Sequence, residues 1–328
     1  MEDNMKIDFV VLWLDDSDEN WIKERDSYRE NSTKNENVRF RDWDLLKYWF
    51  RSIEKNASWV NNIYLITYGH LPKWLNVANP KLKIVKHSDF IPKEYLPTFN
   101  SNVIEMNLFR IESLSERFVL FNDDVYLFNN VEEKDFFEKN KVKDVFVENP
   151  IAATYDPYNY TQYNNMAIIN KEYKKNEFRK DKNYYNFKYG KRSLVSKIES
   201  KHELFVGFLN QHITQPYFKS SFEKIWNKYY DACNETCLTK FRKNNNISHY
   251  AVRYMQMLDG KFLARDINFG KSFELSDNNE MLYKQFEKTK YKVICINDSN
   301  PNIDFEKVKK ELVLLFDKKF PNKSQFEK

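Results

Sequence analysis

Apolar residues recur in two rhythms along this chain, and their alternation lays out a fold. Ile7 to Leu14 is an apolar run broken only by Asp8, and Asn62 to Thr67, Leu82 to Lys86 and Phe118 to Phe121 are shorter runs rich in β-branched and aromatic residues. Runs of this kind suit strands covered on both faces. Between them the spacing becomes helical. Leu46, Trp49, Phe50 and Ile53 follow the i, i+3, i+4, i+7 pattern of a core-facing stripe, with Asp42 as N-cap of a helix through Asn56. Leu71 to Leu75 predicts a short helical turn and Asn102 to Leu114 a further helix. Strand, helix, strand, turn, strand, helix, strand argues for an α/β fold, a mainly parallel central sheet with flanking crossover helices of the Rossmann-like kind.

Beyond Asp135 the pattern loosens. Asp144 to Glu148 predicts a strand and Tyr155 to Tyr163 a Tyr/Asn-rich loop. Asn170 to Lys191 is basic and aromatic, which reads either as a solvated helical face or as a phosphate or membrane patch. Helices are expected at Phe222 to Tyr230 and Ser248 to Leu258, a late strand at Tyr291 to Ile296 and a closing amphipathic helix at Phe305 to Phe316. The sequence shows no repeat and no low-complexity linker. One domain over residues 1–328 is expected, with 171–258 as a helical insertion.

Composition narrows the function classes. The 328 residues are 41% hydrophobic and 17% aromatic, enough for a large core. A net charge of +5 on 31% charged residues is too mild to predict nucleic-acid binding. The three cysteines, Cys233, Cys237 and Cys295, suggest a reducing compartment. The polar amino terminus does not read as a signal peptide, and no apolar run is long enough to span a bilayer. A cytoplasmic protein is expected, with peripheral contact to the inner face of the membrane as a further expectation. The five glycines, Gly69, Gly190, Gly207, Gly260 and Gly270, are too scattered for a Gly-x-Gly-x-x-Gly turn or a Walker loop. If phosphates bind here, side-chain cations and a metal must meet their charge.

Three predicted strands end in acidic or Asn-Asp tips: Asp15/Asp16/Asp18, Asn122/Asp123/Asp124 and Asn297/Asp298. In open α/β sheets ligands bind beyond the carboxyl ends of the strands. If the three lie in one sheet, their tips converge, and adjacent carboxylates are costly without a cation beside them. A divalent metal is the usual answer.

Four sequence blocks carry a resemblance. The first is Ile7-Asp8-Phe9-Val10-Val11-Leu12-Trp13-Leu14-Asp15-Asp16-Ser17-Asp18. The second runs from Arg39-Phe40-Arg41-Asp42 through Arg51-Ser52-Ile53-Glu54, Pro97-Thr98-Phe99-Asn100-Ser101, Glu105 and Ser115-Glu116-Arg117-Phe118 to Asn122-Asp123-Asp124. The third holds Gln211-His212, Pro216 and Lys240-Phe241-Arg242. The fourth is Cys295-Ile296-Asn297-Asp298, followed by Phe320-Pro321 and Ser324-Gln325-Phe326-Glu327. Together they resemble the Stealth family of sugar-phosphate transferases, which includes bacterial capsule-polysaccharide phosphotransferases. Asp16 stands where that family usually has glycine, and Asn107 where it often has histidine.

The resemblance implies a glycosyltransferase-A-like fold and transfer of a sugar 1-phosphate from a nucleotide-diphosphate sugar to a glycan hydroxyl, with nucleoside monophosphate leaving. It implies Mg2+ or Mn2+ on Asp123, Asp124 and Asp298. Arg242 is expected to clamp phosphate oxygens, and His212 to act as general base or phosphate donor. Asp15, Asp18, Arg39, Asn100, Ser101, Glu105 and Arg110 are expected to line the substrate site. The expected partners are a nucleotide-sugar donor and a glycan or lipid-linked glycan acceptor, and no nucleic acid. A metal-dependent glycosyltransferase that releases nucleoside diphosphate is the competing enzyme. An aromatic-rich carbohydrate-binding module is the non-enzymatic alternative.

Overall fold

The structure is a computed structural model that describes residues 6–29 and 41–328. In chain order its strands are β1 (Ile7–Leu12), β2 (Ile63–Thr67), β3 (Leu82–Lys86), β4 (Arg117–Asn122), β5 (Val125–Leu127), β6 (Phe137–Glu138), β7 (Lys141–Asp144), β8 (Gln215–Phe218), β9 (Phe262–Ala264), β10 (Gly270–Glu274) and β11 (Val293–Asn297). The helices are α1 (Glu19–Ser27), α2 (Leu46–Asn56), α3 (His87–Phe90), α4 (Ser101–Asn107), α5 (Pro157–Glu172), α6 (Ser193–Glu199), α7 (Lys219–Lys228), α8 (Tyr230–Cys237), α9 (His249–Leu258), α10 (Glu280–Glu287) and α11 (Phe305–Lys319).

The central sheet has the order β3-β2-β1-β4-β8. Its first four strands are parallel and β8 runs antiparallel at the edge, so the expected mainly parallel α/β sheet is present. Its buried runs are the apolar ones: Phe9, Val10, Val11, Ile63, Leu65, Ile66, Phe118 and Val119 are shielded from solvent. The α2 stripe Leu46, Trp49, Phe50 and Ile53 is buried as its spacing predicts. On another face of α2, Arg51 takes a bidentate grip on Glu327 at 2.8 and 2.7 Å and donates to the Phe320 carbonyl. That contact gives residues of the second and fourth blocks a structural task, tying the chain's end to the sheet's covering helix.

Other expectations are corrected. Helix α2 starts at Leu46, and Asp42 does not cap it. The Asp42 carboxylate accepts the Asp44 amide at 2.8 Å in a tight turn whose Asp44 lies at φ 56°, one residue before the cap position. Leu71 to Leu75 holds a single turn closed by the Leu75 amide on the Pro72 carbonyl at 3.1 Å, while α4 stops at Asn107, short of the expected Leu114. The strand expected at Asp144 to Glu148 is β7, which ends at Asp144. The expected loop Tyr155 to Tyr163 is largely the first half of α5. Asp156 caps that helix through the Tyr158 amide, Pro157 opens it, and Met166, Ile168 and Ile169 bury its inner side. Cap chemistry and packing override the weak helix propensity of Tyr and Asn. The basic stretch that follows leaves the helix at Glu172 and continues in short turns. The segment 171–258 also supplies β8, so it is woven into the central sheet.

The largest correction concerns β11. It lies in a second, three-stranded sheet of order β10-β11-β5, not in the central one. The chain turns at Asp123-Asp124 between β4 and β5, and β5 pairs antiparallel with β11. The end of β11 is thereby delivered to the tip of β4, where the Ile296 amide donates to the Asp124 carbonyl at 2.9 Å. The tips converge through a hairpin-like bridge between two sheets.

Candidate functional site

Leu12 and Asn122 are register partners, so the loops leaving β1 and β4 emerge side by side. An acid cluster forms there. Crowding by surrounding protein, with Asp124 and Asp42 as neighbours, pushes the Asp123 carboxyl up to about 8 even though the residue reaches the surface. Burial, with Asp44 and Asp16 nearby, pushes Asp42 up to about 6. Asp16 is raised by burial and Asp15, with Lys309 opposing. Asp124 is also raised, mainly by burial and against the pull of His212. Its Oδ1 is buried with no hydrogen-bond partner, while Oδ2 accepts the Cys295 thiol at 3.4 Å.

His212 sits at φ 44° on the loop before β8, with Nε2 at 3.9 Å from Asp124 Oδ2 and 3.3 Å from Asn122 Nδ2. With the Asn122 amide donating, Nε2 carries the lone pair. Asp124, His212 and Cys295 are the one group of potential metal-binding side chains found among the described residues, their ligand atoms lying within 4.8 Å of one another. Burial holds the Cys295 thiol well above its ordinary range, so it is a protonated donor here. The Asp124 carboxylate, with one oxygen orphaned, is the hard ligand in this group and suits a divalent cation such as Mg2+ or Mn2+, while neither Asp123 nor Asp298 joins the group.

A second group adjoins this one. Arg242 donates to Ser101 Oγ at 2.7 Å. Burial pushes the Glu105 carboxyl up to about 7, against the pull of Arg242 and the Ser101 hydroxyl. His249 Nε2 lies 3.6 Å from Glu105 Oε2, and its Nδ1 meets the Tyr217 hydroxyl at 2.6 Å. Burial pushes His249 down to about 3, and Arg253, Arg242 and His212 add to that. His249 thus lies within electrostatic reach of both Arg242 and His212.

Glu105 supports a direct test. Its folded pKa lies above the ordinary 4.5, so its stabilising contribution is complete below about 4.5 and is lost as pH rises through about 7. The stability of the native protein minus that of Glu105→Gln is expected to fall by roughly 3 kcal/mol across that window. His249 shifts the opposite way but is common to both proteins. A flat difference in urea melts from acid to neutral pH would show that Glu105 ionises freely in the fold.

The remaining expected site residues fall as follows. Asp15 anchors the β1 loop: its amide donates to His70 Nε2 at 2.8 Å and its carboxylate accepts from Ser17. Asp18 caps α1 through the Asn20 and Trp21 amides and is held below its ordinary range, chiefly by the Trp21 amide. Asn100 caps α4 and donates to Thr239 and Asn246, tying α4 to the loop that carries Arg242. Asp298 is paired with Arg41 at 3.0 Å and accepts the Trp43 indole at 3.2 Å. Arg110 lies elsewhere, stacked on Phe109 and Trp226 and bonded to Asn107, away from the Asp124–His212 pair. Arg39 lies outside the described residues. Sequence reasoning missed Asp42, Arg41 and Cys295. All three stand inside the quoted blocks, and the signal was their adjacency to Asp298 or to a strand tip.

The family model of Stealth protein conserved region 2 matches residues 39–145, and the full chain aligns with bacterial polysaccharide phosphotransferases. The chain belongs to the Stealth family of polysaccharide phosphotransferases and is a transferase enzyme. It is 43% identical to the capsular polysaccharide phosphotransferase WcwK of Streptococcus pneumoniae over 334 residues, 100% of both chains. It is 38% identical to the exopolysaccharide phosphotransferase cps2G of Lactiplantibacillus plantarum over 98% of this chain and 96% of that one. Receptor polysaccharide phosphotransferase WefC of Streptococcus gordonii is 35% identical, covering 98% and 99%. Among solved structures, the galactosyltransferase LgtC in complex with donor and acceptor sugar analogues aligns with a TM-score of 0.39 and 9% identity, covering 97% of this chain and 98% of that one. No helix among the described residues is long and apolar enough to cross a membrane.

Proposed function

We propose that the protein transfers a sugar 1-phosphate from a nucleotide-diphosphate sugar, with a UDP-sugar as first candidate, to a hydroxyl of a glycan acceptor in capsular or cell-surface polysaccharide synthesis. The acceptor oxygen forms a bond to the sugar-bearing phosphorus and the phosphoanhydride bond breaks. The acceptor proton passes to His212 and nucleoside monophosphate leaves. The observation that carries this reading is the apposition of a cation-poor acid pair at the β4 tip, exposed Asp123 and half-buried Asp124, to His212, with the Arg242–Ser101 pair joined to it through His249, which feels both Arg242 and His212.

Such displacements need charge stabilisation and positioning above all. Arg242 would hold phosphate oxygens in its planar fork, with Ser101 fixing its orientation and Glu105 beside it. His212 Nε2, which meets the Asn122 side-chain amide, is the atom placed to take the hydroxyl proton. Asp123 and Asp124 would hold Mg2+ or Mn2+, which neutralises charge on the diphosphate when bound. Asp298, already paired with Arg41, is the least available of the three proposed ligands. Asp15 and Asp18 shape the β1 loop toward the nucleotide or acceptor sugar.

The product nucleotide decides the chemistry. With a UDP-sugar panel, Mg2+ and a glycan primer, nucleoside monophosphate is the expected release. Diphosphate would replace this reading with glycosyl transfer, and no release with any donor would remove the UDP-sugar assignment.

A further inference from the structure

The charge of this protein is concentrated in one place. Residues 171–204 hold eleven Lys and Arg against five Asp and Glu, a net of +6, whereas the whole chain is +5 and the rest therefore carries −1. The same stretch exposes large apolar side chains: Phe187 is 86% exposed, Leu194 56%, Ile198 63% and Leu204 59%. We propose that the cap formed by residues 187–204 is a docking surface for the anionic face of a phospholipid membrane.

The cap is a built surface. Leu194 and Ile198 stand one turn apart on the same face of α6. The turn Phe187–Arg192 packs directly against that helix. Leu204 is brought back beside the end of α6 because Lys175 Nζ donates to both the Glu199 and the Leu204 carbonyls, at 2.5 and 3.1 Å. From beneath, Ser196 Oγ accepts the Glu148 amide at 3.0 Å, and the buried Glu148 carboxylate accepts from Lys175 at 2.8 Å and from the Tyr184 hydroxyl. Packing thus holds the apolar side chains outward.

Lys191 and Arg192 on the turn, Lys197 on α6 and Lys201 just after it are exposed. Among the described residues no carboxylate stands within ion-pair distance of these four cations. Aliphatic side chains ringed by free cations match a headgroup layer, where acyl chains receive the apolar groups and anionic lipids meet the charges. A nucleic acid offers phosphates but no hydrocarbon for Leu194, Ile198 and Leu204. Helix α5 connects the cap to the site. Tyr158 at its start lies beside Asn210 and Arg242, and Glu172 at its end opens the basic stretch. At 1.5 Å per residue the helix is roughly 24 Å long. The inference does not depend on which nucleotide leaves the donor.

The test is flotation of the full chain with vesicles of phosphatidylcholine alone or mixed with phosphatidylglycerol. The native protein is expected to float with the mixed vesicles only and to be released by salt. Leu194→Ser/Ile198→Ser, which leaves the charge unchanged, is expected to weaken binding at least about 10-fold. Lys191→Glu/Arg192→Glu/Lys197→Glu is expected to abolish it, a loss of about 100-fold or more. Both variants should keep native melting temperatures and native turnover on a water-soluble acceptor. Native protein that stays at the bottom of the gradient overturns the proposal. So does a Leu194→Ser/Ile198→Ser variant that binds like the native protein, and so does preference for polyuridylate over mixed vesicles.

Discussion

Asp124→Asn is expected to lower turnover on the order of 10³-fold while leaving the protein as stable as before, or more stable. The substitution keeps the shape and the main-chain bond from the Ile296 amide, and the Cys295 thiol still has an oxygen to donate to. What it removes is a half-buried negative charge whose shielded Oδ1 has no partner, beside the raised carboxyl of Asp123. Holding that charge without a cation works against folding. Its loss therefore stabilises the ion-free protein and disables the site. Thermal melts without substrate give a second readout. Mg2+ should raise the melting temperature of the native protein through preferential binding to the folded state, and should leave Asp124→Asn unmoved. Native-like turnover in the variant would take Asp124 out of the reaction. A native melting temperature indifferent to Mg2+ and Mn2+ would take the metal out of the site.

The sequence made the central sheet legible because its strands are buried on both faces, so that apolar runs alone mark β1, β2 and β4. The site was legible only in part. Asp123 and Asp124 could be placed at a strand tip from the abrupt end of Phe118 to Phe121. That β11 reaches them from another sheet could not, since strand pairing depends on the reversal at Asp123-Asp124 and not on any local pattern. Asp42 was misread for a related reason. An aspartate shortly before a helical stripe fits an N-cap, and only the left-handed Asp44 shows that the chain turns once more before the helix and leaves the Asp42 carboxylate facing Asp16 and Asp123. His249 was invisible as a site neighbour because nothing local to α9 shows that its first turn abuts Glu105. Arg110 illustrates the converse error: a residue inside a well-matched block whose guanidinium packs against an indole, remote from the chemistry.

Asp144→Asn is expected to cost more than any single change in the acid cluster, because of how many buried cations lean on one carboxylate. Arg253 is fully buried and uses its whole fork. Nε and one terminal nitrogen grip Asp144 at 2.8 and 2.7 Å, and the remaining donors reach the Leu209 and Val145 carbonyls and Asn210 Oδ1. Arg265 is buried nearby, with Nε and one terminal nitrogen unpartnered, and burial together with Arg253 lowers its pKa to about 10. Neutralising Asp144 leaves two guanidinium groups without their main counter-charge, and removing one partner of a buried pair costs about 3–5 kcal/mol. Arg253→Met should cost less, because Arg265 remains to face Asp144. The ordering is specific to two arginines sharing one acid and would reverse if Arg253 alone mattered. Urea unfolding at neutral pH measures it, as a midpoint shift at unchanged slope. Activity should fall in both variants beyond what unfolding explains, since Asn210, held by Arg253 and by the Tyr254 hydroxyl, lies two residues before the left-handed His212. A loss below about 1 kcal/mol in Asp144→Asn, smaller than that of an ordinary buried contact, would mean that the arginine charges are balanced elsewhere and that the loop carrying His212 does not depend on them.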